Sequence, residues 1–384
     1  MSRVAVSKKI LDWALDRSGL SLADLEPKFP RLHQWISGQS QPTLRQLELL
    51  AKSTLTPLGF FFLKEPPEER LPVPYFRTLG DEASYGPSPD LLETIHTMQR
   101  RQAWLREFLV DQGQEALTFV RSARTDEPPA SVGRRIREAL HLNLGWAAEE
   151  PSWTEALRAL REAIENAGIL VVVNGIVGNN TRRKLDPDEF RGFVLMDEFA
   201  PMVFVNGGDG KAAQMFTLAH ELAHVFFGSS AAFDLREMSP AKDPTEQACN
   251  RVAAEFLVPE QQIRRIWPSI KDNPERFQSI AREFKVSALV AGRRALDLGL
   301  IVKVEFLTFY HDYLSDERRK AAGRPKQRGD FYANQNLRVG RRFASAVVRA
   351  AKEGNLLYSE AYRLTGLYGK TFGSYAAYLG FGGS

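Results

Sequence analysis

The stretch that decides the interpretation of this sequence is Lys-Ala-Ala-Gln-Met-Phe-Thr-Leu-Ala-His-Glu-Leu-Ala-His-Val-Phe-Phe-Gly, residues 211–228. Its apolar residues recur at helical spacing and surround three polar, titratable ones. Asp209 can cap the start of a helix here, and Gly228 can end it. The stretch therefore predicts one amphipathic helix with the H-E-x-x-H pattern at its centre.

The chemistry of this pattern follows from helix geometry. His220 and His224 lie one turn apart on one face, so both imidazoles can reach a single metal ion. Glu221 lies about 100° further round the helix, close enough to take a proton from a metal-bound water without binding the metal. A catalytic Zn²⁺ would activate such a water at neutral pH. We therefore predict Zn²⁺ as the cofactor and Glu221 as the catalytic base.

A catalytic zinc needs a third protein ligand. The nearest candidate segment is the apolar-faced helix predicted over residues 245–259, which Pro259 stops. Glu246 lies in its first turn, far enough beyond His224 for the chain to turn back. Asn250 lies one turn further on the same face. The sequence leaves three rival ligands open: Glu255, Cys249 and His311.

The residues before the motif predict a small sheet. A helix over residues 154–167 leads into the β-branched run at 169–173, and two more strand-like runs follow at 190–196 and 202–205. A helix and strands directly before the metal motif indicate an α+β domain.

The N-terminal residues 4–63 predict four or five short helices, the last over residues 58–63. The second and fourth start with capping signals, Ser21 and Thr43. A linker rich in Pro and Glu follows at residues 65–74. Ser88 then caps a long helix that runs to about Asp111.

Several of these stretches resemble the ImmA/IrrE family of zinc metallopeptidases. The strongest is Phe-Thr-Leu-Ala-His-Glu-Leu-Ala-His at 216–224, joined by Glu-x-x-x-Asn at 246–250 and Glu-Phe-Leu-Val-Pro at 255–259. The strand segments are similar to those that precede the motif in that family. The N-terminal unit resembles the XRE-type helix-turn-helix often fused to such peptidases, in Trp-x-Ser-Gly at 35–38 and in residues 41–51.

The resemblance implies a gluzincin-like site in which His220, His224 and Glu246 bind zinc and Glu221 is the general base, with Asn250 as a supporting residue. It also implies a regulator of bacterial stress or mobile elements that cleaves a repressor. Other long members of the family that carry such a fusion are encoded beside a toxin gene and look like antitoxins. The expected partner is thus a protein encoded nearby, either a repressor or a toxin, and DNA is a candidate partner.

The N-terminal unit departs from the usual helix-turn-helix pattern. The chain is several residues short between Ser21 and Trp35, and prolines fall where the turn and recognition helix should lie. A recognition helix presents polar residues to the major groove. The candidate DNA-binding residues are Arg31, His33 and Gln34. The alternative is a structural or dimerisation role, so a homodimer is a further candidate state.

Three features follow the metal motif. Residues 277–300 look like a second helix-turn-helix, with Arg293 and Arg294 expected to be exposed, or like helices packed behind the zinc domain. Residues 318–328 form a basic run, interpreted as a solvated loop or a phosphate contact. A helix is expected over residues 337–354, and the tyrosine-rich tail beyond it predicts a packed bundle that offers a protein a binding surface.

Composition limits the class of protein. Of the 384 residues 43% are apolar and 26% charged, which excludes a disordered or collagen-like chain. One cysteine cannot form an internal disulfide, and no apolar run approaches the ~20 residues of a membrane span. Residues 301–384 hold 14 basic and 7 acidic side chains, so the net charge of +4 is uneven. We expect a cytoplasmic protein without a membrane partner.

Together these observations predict a mostly helical α+β fold. Its parts are a helix-turn-helix-like bundle (1–64), a linker and helical connector (65–150), a zincin-like peptidase domain with a small sheet (151–300) and a basic helical extension (301–384). The leading function is a zinc-dependent endopeptidase that cleaves a specific regulatory protein and regulates transcription. The alternative is an antitoxin or repressor that neutralises its partner by contact and binds DNA, without essential proteolysis.

Overall fold

The computed structural model describes residues 3–69, 87–229, 231–233, 243–315 and 330–382. It is mostly helical with one small sheet, and the predicted α+β class is confirmed. Contacts divide the chain into two compact units, one holding the described residues up to 97 and the other those from 98 onward. The finer division into four segments stays a prediction. No helix in the described ranges has the length and apolar character needed to cross a membrane.

The first unit contains four short helices, and their starts follow the capping signals in the sequence. Asp24 N–H bonds to the Ser21 hydroxyl and Gln46 N–H to the Thr43 hydroxyl. Ile10, Leu47 and Phe61 are among the fully buried residues of its core. The helices are α1 Lys8–Ser18, α2 Leu22–Leu25, α3 Leu32–Ile36 and α4 Leu44–Ser53.

The predicted buried helix at residues 58–63 is wrong in detail. The chain forms a 3-10 helix over Leu58–Phe62, in which Phe61 alone is fully buried. Phe62 and Leu63 are 55% and 42% exposed. One short 3-10 helix points its side chains in three directions, so it cannot bury a continuous apolar run.

A long helix, α5 Pro89–Asp111, follows the linker, and Leu91 N–H bonds to the Ser88 hydroxyl as the capping signal predicts. The connecting helices are α6 Pro129–Ala139, a 3-10 helix at Trp146–Glu149 and α7 Trp153–Asn166. Ser152 caps α7 by accepting a hydrogen bond from Glu155 N–H.

The main sheet has four strands in the order β1-β5-β4-β6. β1 and β5 are parallel, whereas β4 is antiparallel to both of its neighbours. β2 and β3 form a separate hairpin. The strands are β1 Leu170–Asn174, β2 Ile176–Val177, β3 Asn180–Lys184, β4 Gly192–Leu195, β5 Met202–Asn206 and β6 Ala231–Phe233.

α8 Lys211–Phe227 covers the sheet, and α8 and α9 Pro244–Leu257 together carry the candidate metal ligands. α8 packs on β4 and β5, and α9 packs along α8. Every residue of α8 from Gln214 to Phe226 is buried. A helix buried on all sides holds its polar residues rigidly, because each one must fit a packed interior.

The remaining helices complete the second unit. They are α10 Glu260–Ile270, α11 Arg276–Phe284, α12 Ala288–Asp297, α13 Lys303–Ser315, α14 Phe331–Gln335, α15 Arg341–Lys352, α16 Tyr358–Thr365 and α17 Gly369–Ala376. Residues of α11 and α12 belong to the core around α8, which favours packing over a second DNA-binding motif. The predicted basic run at 318–328 lies outside the described residues.

The C-terminal helices approach the sheet closely at one glycine. Gly340 has φ +83°, and a Cβ atom there would collide with the Leu170 side chain and approach the Val171 carbonyl. The π-helical segment Asn336–Gly340 thus lies against β1, an edge strand of the main sheet. The helix expected over residues 337–354 is divided at Gly340: residues 336–340 are π-helical, and the α-helix begins at Arg341 and ends at Lys352.

Candidate metal centre

α8 brings the three motif residues together as its spacing predicts. His220 and His224 are both fully buried, and Glu221 between them is equally inaccessible. The helix ends at Gly228 in the left-handed conformation, as expected. The predicted cap at its start is wrong: Gly210 occupies the N-cap position without a side-chain hydrogen bond.

Asp209 does not cap α8 because its carboxylate pairs instead with a cationic side chain. Its Oδ2 atom lies 3.2 Å from the Arg191 guanidinium, just before β4. This ion pair joins the start of α8 to the sheet. It is non-local, so the local sequence carried no signal for it.

The turn into α9 fixes the position of Glu246, the predicted third ligand. Asp243 is the N-cap, and its Oδ1 atom accepts hydrogen bonds from Thr245 N–H at 2.8 Å and Glu246 N–H at 3.1 Å. Pro244 occupies the first helical position, where it loses no hydrogen bond. Glu246 therefore lies in the first turn of α9, facing α8.

Three side chains converge on one point between α8 and α9. The Nε2 atoms of His220 and His224 lie 3.1 Å apart. Glu246 Oε2 lies 3.1 Å from His220 Nε2, and Glu246 Oε1 lies 3.2 Å from His224 Nε2. All three side chains are buried. The sequence-based candidates are thus assembled into a single cluster.

This cluster fits a zinc ion. Ligand bonds of about 2.0–2.1 Å in a tetrahedral site put neighbouring donor atoms about 3.3 Å apart, close to the spacing observed. Within the described chain, both Glu246 oxygens are buried and neither makes a well-directed hydrogen bond. Buried acceptors that face one another this closely need a cation between them. Two imidazoles and one carboxylate are also a donor set that zinc takes in enzymes.

Two polar side chains orient the imidazoles. His220 Nδ1 lies 3.1 Å from Asn250 Oδ1, and His224 Nδ1 lies 2.8 Å from the Ser229 hydroxyl. Donation from Nδ1 to these oxygens places the lone pair of each imidazole on Nε2, the atom that would bind a metal. The sequence predicted Asn250 in a supporting position. It missed Ser229, whose only signal was its place directly after the helix-ending glycine.

Glu221 is positioned next to the sheet. The ideal Cβ position on Gly192, the first residue of β4, lies 3.2 Å from Glu221 Oε1. Both Glu221 oxygens are buried and have no hydrogen-bond partner in the ranges that the structure describes. Burial raises the pKa of Glu221 well above its usual range, and repulsion from Glu246 adds to the effect. An acid whose proton affinity is raised in this way can accept a proton near neutral pH.

The pKa values of His220 and Glu246 shift downward, in contrast to that of Glu221. Burial lowers the pKa of His220, so its imidazole is neutral and able to bind a metal. Burial opposes ionisation of Glu246, but protons on the Nε2 atoms of His220 and His224, in the place that a metal cation would take, outweigh this effect and lower the pKa of its carboxyl to about 2. Glu246 is therefore a carboxylate.

The rival ligands are in other positions. Glu255 forms a buried ion pair with Arg294, whose Nε atom also donates to the Val258 carbonyl at 3.0 Å. This pair corrects the expectation that Arg294 is exposed, since the guanidinium neutralises a buried carboxylate. Arg293 is partly exposed and lies 2.9 Å from Asp297.

Cys249 and His311 differ in their distance from the centre. The donor atoms of Cys249, His220 and His224 lie within 4.8 Å of one another, a looser group than the one with Glu246. Burial raises the pKa of the Cys249 thiol well above its usual range, so it is protonated. His311 is exposed on α13 and lies outside the buried cluster.

The candidate DNA-binding residues lie at the short helix α3. Arg31 and His33 are exposed, whereas Gln34 is partly buried and its side-chain oxygen accepts a hydrogen bond from Ser40 at 3.3 Å. α3 has only five residues. The role of these residues in DNA binding stays a prediction.

Two segments of the chain match family models. Residues 164–296 match the IrrE N-terminal-like domain of peptidase family M78, and residues 339–378 match a domain of unknown function, DUF8813. No curated protein matches the chain. The first match contains the main sheet, α8 and α9, and it supports an ImmA/IrrE-type peptidase domain. Peptidases of this family are generally metallopeptidases.

Proposed function

We propose that the chain is a zinc-dependent endopeptidase that cleaves a specific regulatory protein. The observation that carries the proposal is the convergence of His220, His224 and Glu246, with donor atoms 3.1–3.2 Å apart, next to the buried carboxylate of Glu221. The match to an IrrE-like peptidase domain over the same residues supports it. The three ligands by themselves could equally hold a structural metal. The role of Glu221 therefore decides whether the site is catalytic.

In this proposal the two imidazoles and Glu246 hold the zinc ion. When bound, zinc supplies a Lewis acid that polarises the scissile carbonyl and makes a water more acidic. Glu221 accepts a proton from the attacking water and passes it to the leaving amine. Asn250 and Ser229 keep the imidazoles in the orientation that this arrangement needs.

The biological role belongs to the same proposal. We infer that the substrate is a repressor or toxin encoded nearby, and that the chain acts as a cytoplasmic regulator. The N-terminal unit, with Arg31 exposed just before α3 and His33 exposed on it, would bring the peptidase to DNA or to a second copy of the chain. A binding protein that acts by contact is the competing function, and the experiment below separates the two.

The test mixes zinc-loaded wild-type protein or its Glu221→Gln variant with the products of the flanking genes. Mass spectrometry then detects any discrete cut. Glu221→Gln keeps the size of the side chain and removes its basicity, so we expect equal zinc content in both proteins by elemental analysis. A cut made by the wild type alone is the expected result.

Two results would contradict the proposal. Equal cleavage by both proteins would remove Glu221 from the mechanism. No cut, together with a stable complex between one neighbour and either protein, would assign the function to binding and the metal to structure.

A further inference from the structure

The β2–β3 hairpin is separate from the main sheet. Its strands pair only with each other among the described strands. Four of the five residues of β3 are exposed. Arg182 and Lys184 are two positions apart, so their side chains point to the same face of the ribbon. The hairpin is thus an exposed ribbon with two cations on one face.

The C-terminal helices anchor the tip of this hairpin. Asn179 Nδ2 donates to the Gly366 carbonyl at 3.0 Å. Its Oδ1 atom accepts from Gln335 Nε2 at 3.2 Å and from the Arg338 guanidinium at 3.4 Å. An isolated two-stranded hairpin is only marginally stable in water. These three hydrogen bonds therefore hold the ribbon in a defined position.

The anchor is closely fitted at Gly366. This glycine ends α16 with φ +72°, and a Cβ atom there would lie 3.2 Å from Asn179 Nδ2. A larger residue would be strained in this conformation and would also displace the amide. Gly366 lies within the segment that matches the domain of unknown function. One task of that segment is therefore to position the hairpin.

The anchor also brings an arginine to the hairpin. The Arg338 guanidinium lies 3.4 Å from the side-chain oxygen of Asn179. In the described part of the chain, no carboxylate lies within ion-pair distance of Arg182, Lys184 or Arg338. Desolvation lowers the pKa of Arg338. These three side chains, called here the basic arm, belong to the hairpin or contact it, and none has a counterion among the described residues.

We propose that the basic arm binds the phosphate backbone of double-stranded DNA. Unpaired arginines and lysines on an exposed ribbon are suited to phosphate contacts, which provide affinity without reading sequence. A two-stranded ribbon has the width that the major groove admits. The proposal concerns residues of the second unit and needs neither zinc nor peptidase activity.

The test measures binding of the metal-free full chain to a fluorescein-labelled 20-base-pair duplex by anisotropy over a range of salt concentrations. Each phosphate contact contributes about −0.9 to the slope of log K against log salt. Arg182→Gln with Lys184→Gln should weaken binding and make the slope shallower by about 1.8. The matched control, Arg134→Gln with Arg265→Gln, removes two exposed arginines on α6 and α10 and should leave the slope unchanged.

A second variant tests the anchor without changing charge. Asn179→Ala removes the hydrogen bonds to Gly366, Gln335 and Arg338, and we expect weaker binding with circular dichroism unchanged. Equal slopes for the wild type, the arm variant and the control would overturn the proposal. Equally strong competition by polyglutamate would also overturn it, since the surface would then accept any polyanion.

Discussion

His220 Nδ1 lies 3.1 Å from the Asn250 side-chain oxygen, and its Nε2 atom lies 3.1 Å from Glu246 Oε2. One imidazole thus joins two residues of α9 that are a single helical turn apart. The amide fixes the ring so that its lone pair faces the carboxylate. Glu246 and Asn250 therefore act on the candidate metal centre as a pair.

The first prediction concerns this amide. Asn250→Ala should lower zinc affinity by about 10–100-fold, because loss of a partner that orients a ligand typically has that effect. Asn250→Asp retains an acceptor and should lose less. Competition with a fluorescent zinc chelator measures both. Wild-type affinity in Asn250→Ala would contradict the assigned orientation of His220.

The second prediction separates Glu246 from Cys249. Glu246→Ala should lower zinc occupancy after dialysis, because it removes one of three donor atoms spaced 3.1–3.2 Å apart. Cys249→Ser should keep wild-type occupancy, because its thiol belongs to the looser group. Elemental analysis gives both values. The reverse pattern would make sulfur the third ligand.

The third prediction concerns the strand next to Glu221. A Cβ on Gly192 would lie 2.5 Å from Thr217 Cγ2 and 2.8 Å from the Phe204 carbonyl. Gly192→Ala should therefore lower the free energy of unfolding by about 1–3 kcal/mol, the usual cost of overpacking a core. Gly59→Ala is the control, since Gly59 is exposed and no described atom lies within 4 Å of its Cβ position. Urea titration of the two variants should differ; similar curves would contradict the packing.

The fourth prediction is a pH dependence at Glu165 on α7. Burial raises the pKa of its carboxyl to about 7, against the opposing effects of Arg161 and the Arg341 N–H. The folded state then binds the proton more tightly than the unfolded state, so this group's stabilising contribution falls as pH rises from about 4.5 to about 7. Glu165→Gln should abolish the loss, a gain on the order of 3 kcal/mol at pH 8.

Unfolding curves at pH 4.5 and pH 8 test this prediction. The control is Glu162→Gln, which changes an exposed carboxylate on the same helix. If Glu165→Gln and wild type keep a constant difference across the pH range, the carboxyl does not titrate as described.

Local signals predicted much of the fold. The capping residues Ser21, Thr43 and Ser88 start helices where expected, and Gly228 ends α8. The strands before the motif also form near the predicted positions. These features depend on hydrogen bonds and side-chain periodicity within a few residues, which are visible in one sequence.

Non-local contacts limited the rest. Asp209 pairs with Arg191 instead of capping α8, and Arg294 is buried against Glu255 instead of exposed. The spacing of the motif placed His220 and His224 on one face, but the turn that returns Glu246 to them depends on the packing of α9 along α8. A sequence pattern identifies such candidates, but only the folded structure shows which of them lie together.

The most direct test of the candidate metal centre is X-ray absorption at the zinc edge on wild-type protein that contains one equivalent of zinc. We expect two imidazoles with oxygen donors at about 2.0–2.1 Å and no sulfur. A sulfur neighbour near the ~2.3 Å typical of zinc–thiolate bonds, or a spectrum without imidazole, would contradict the assignment of His220, His224 and Glu246.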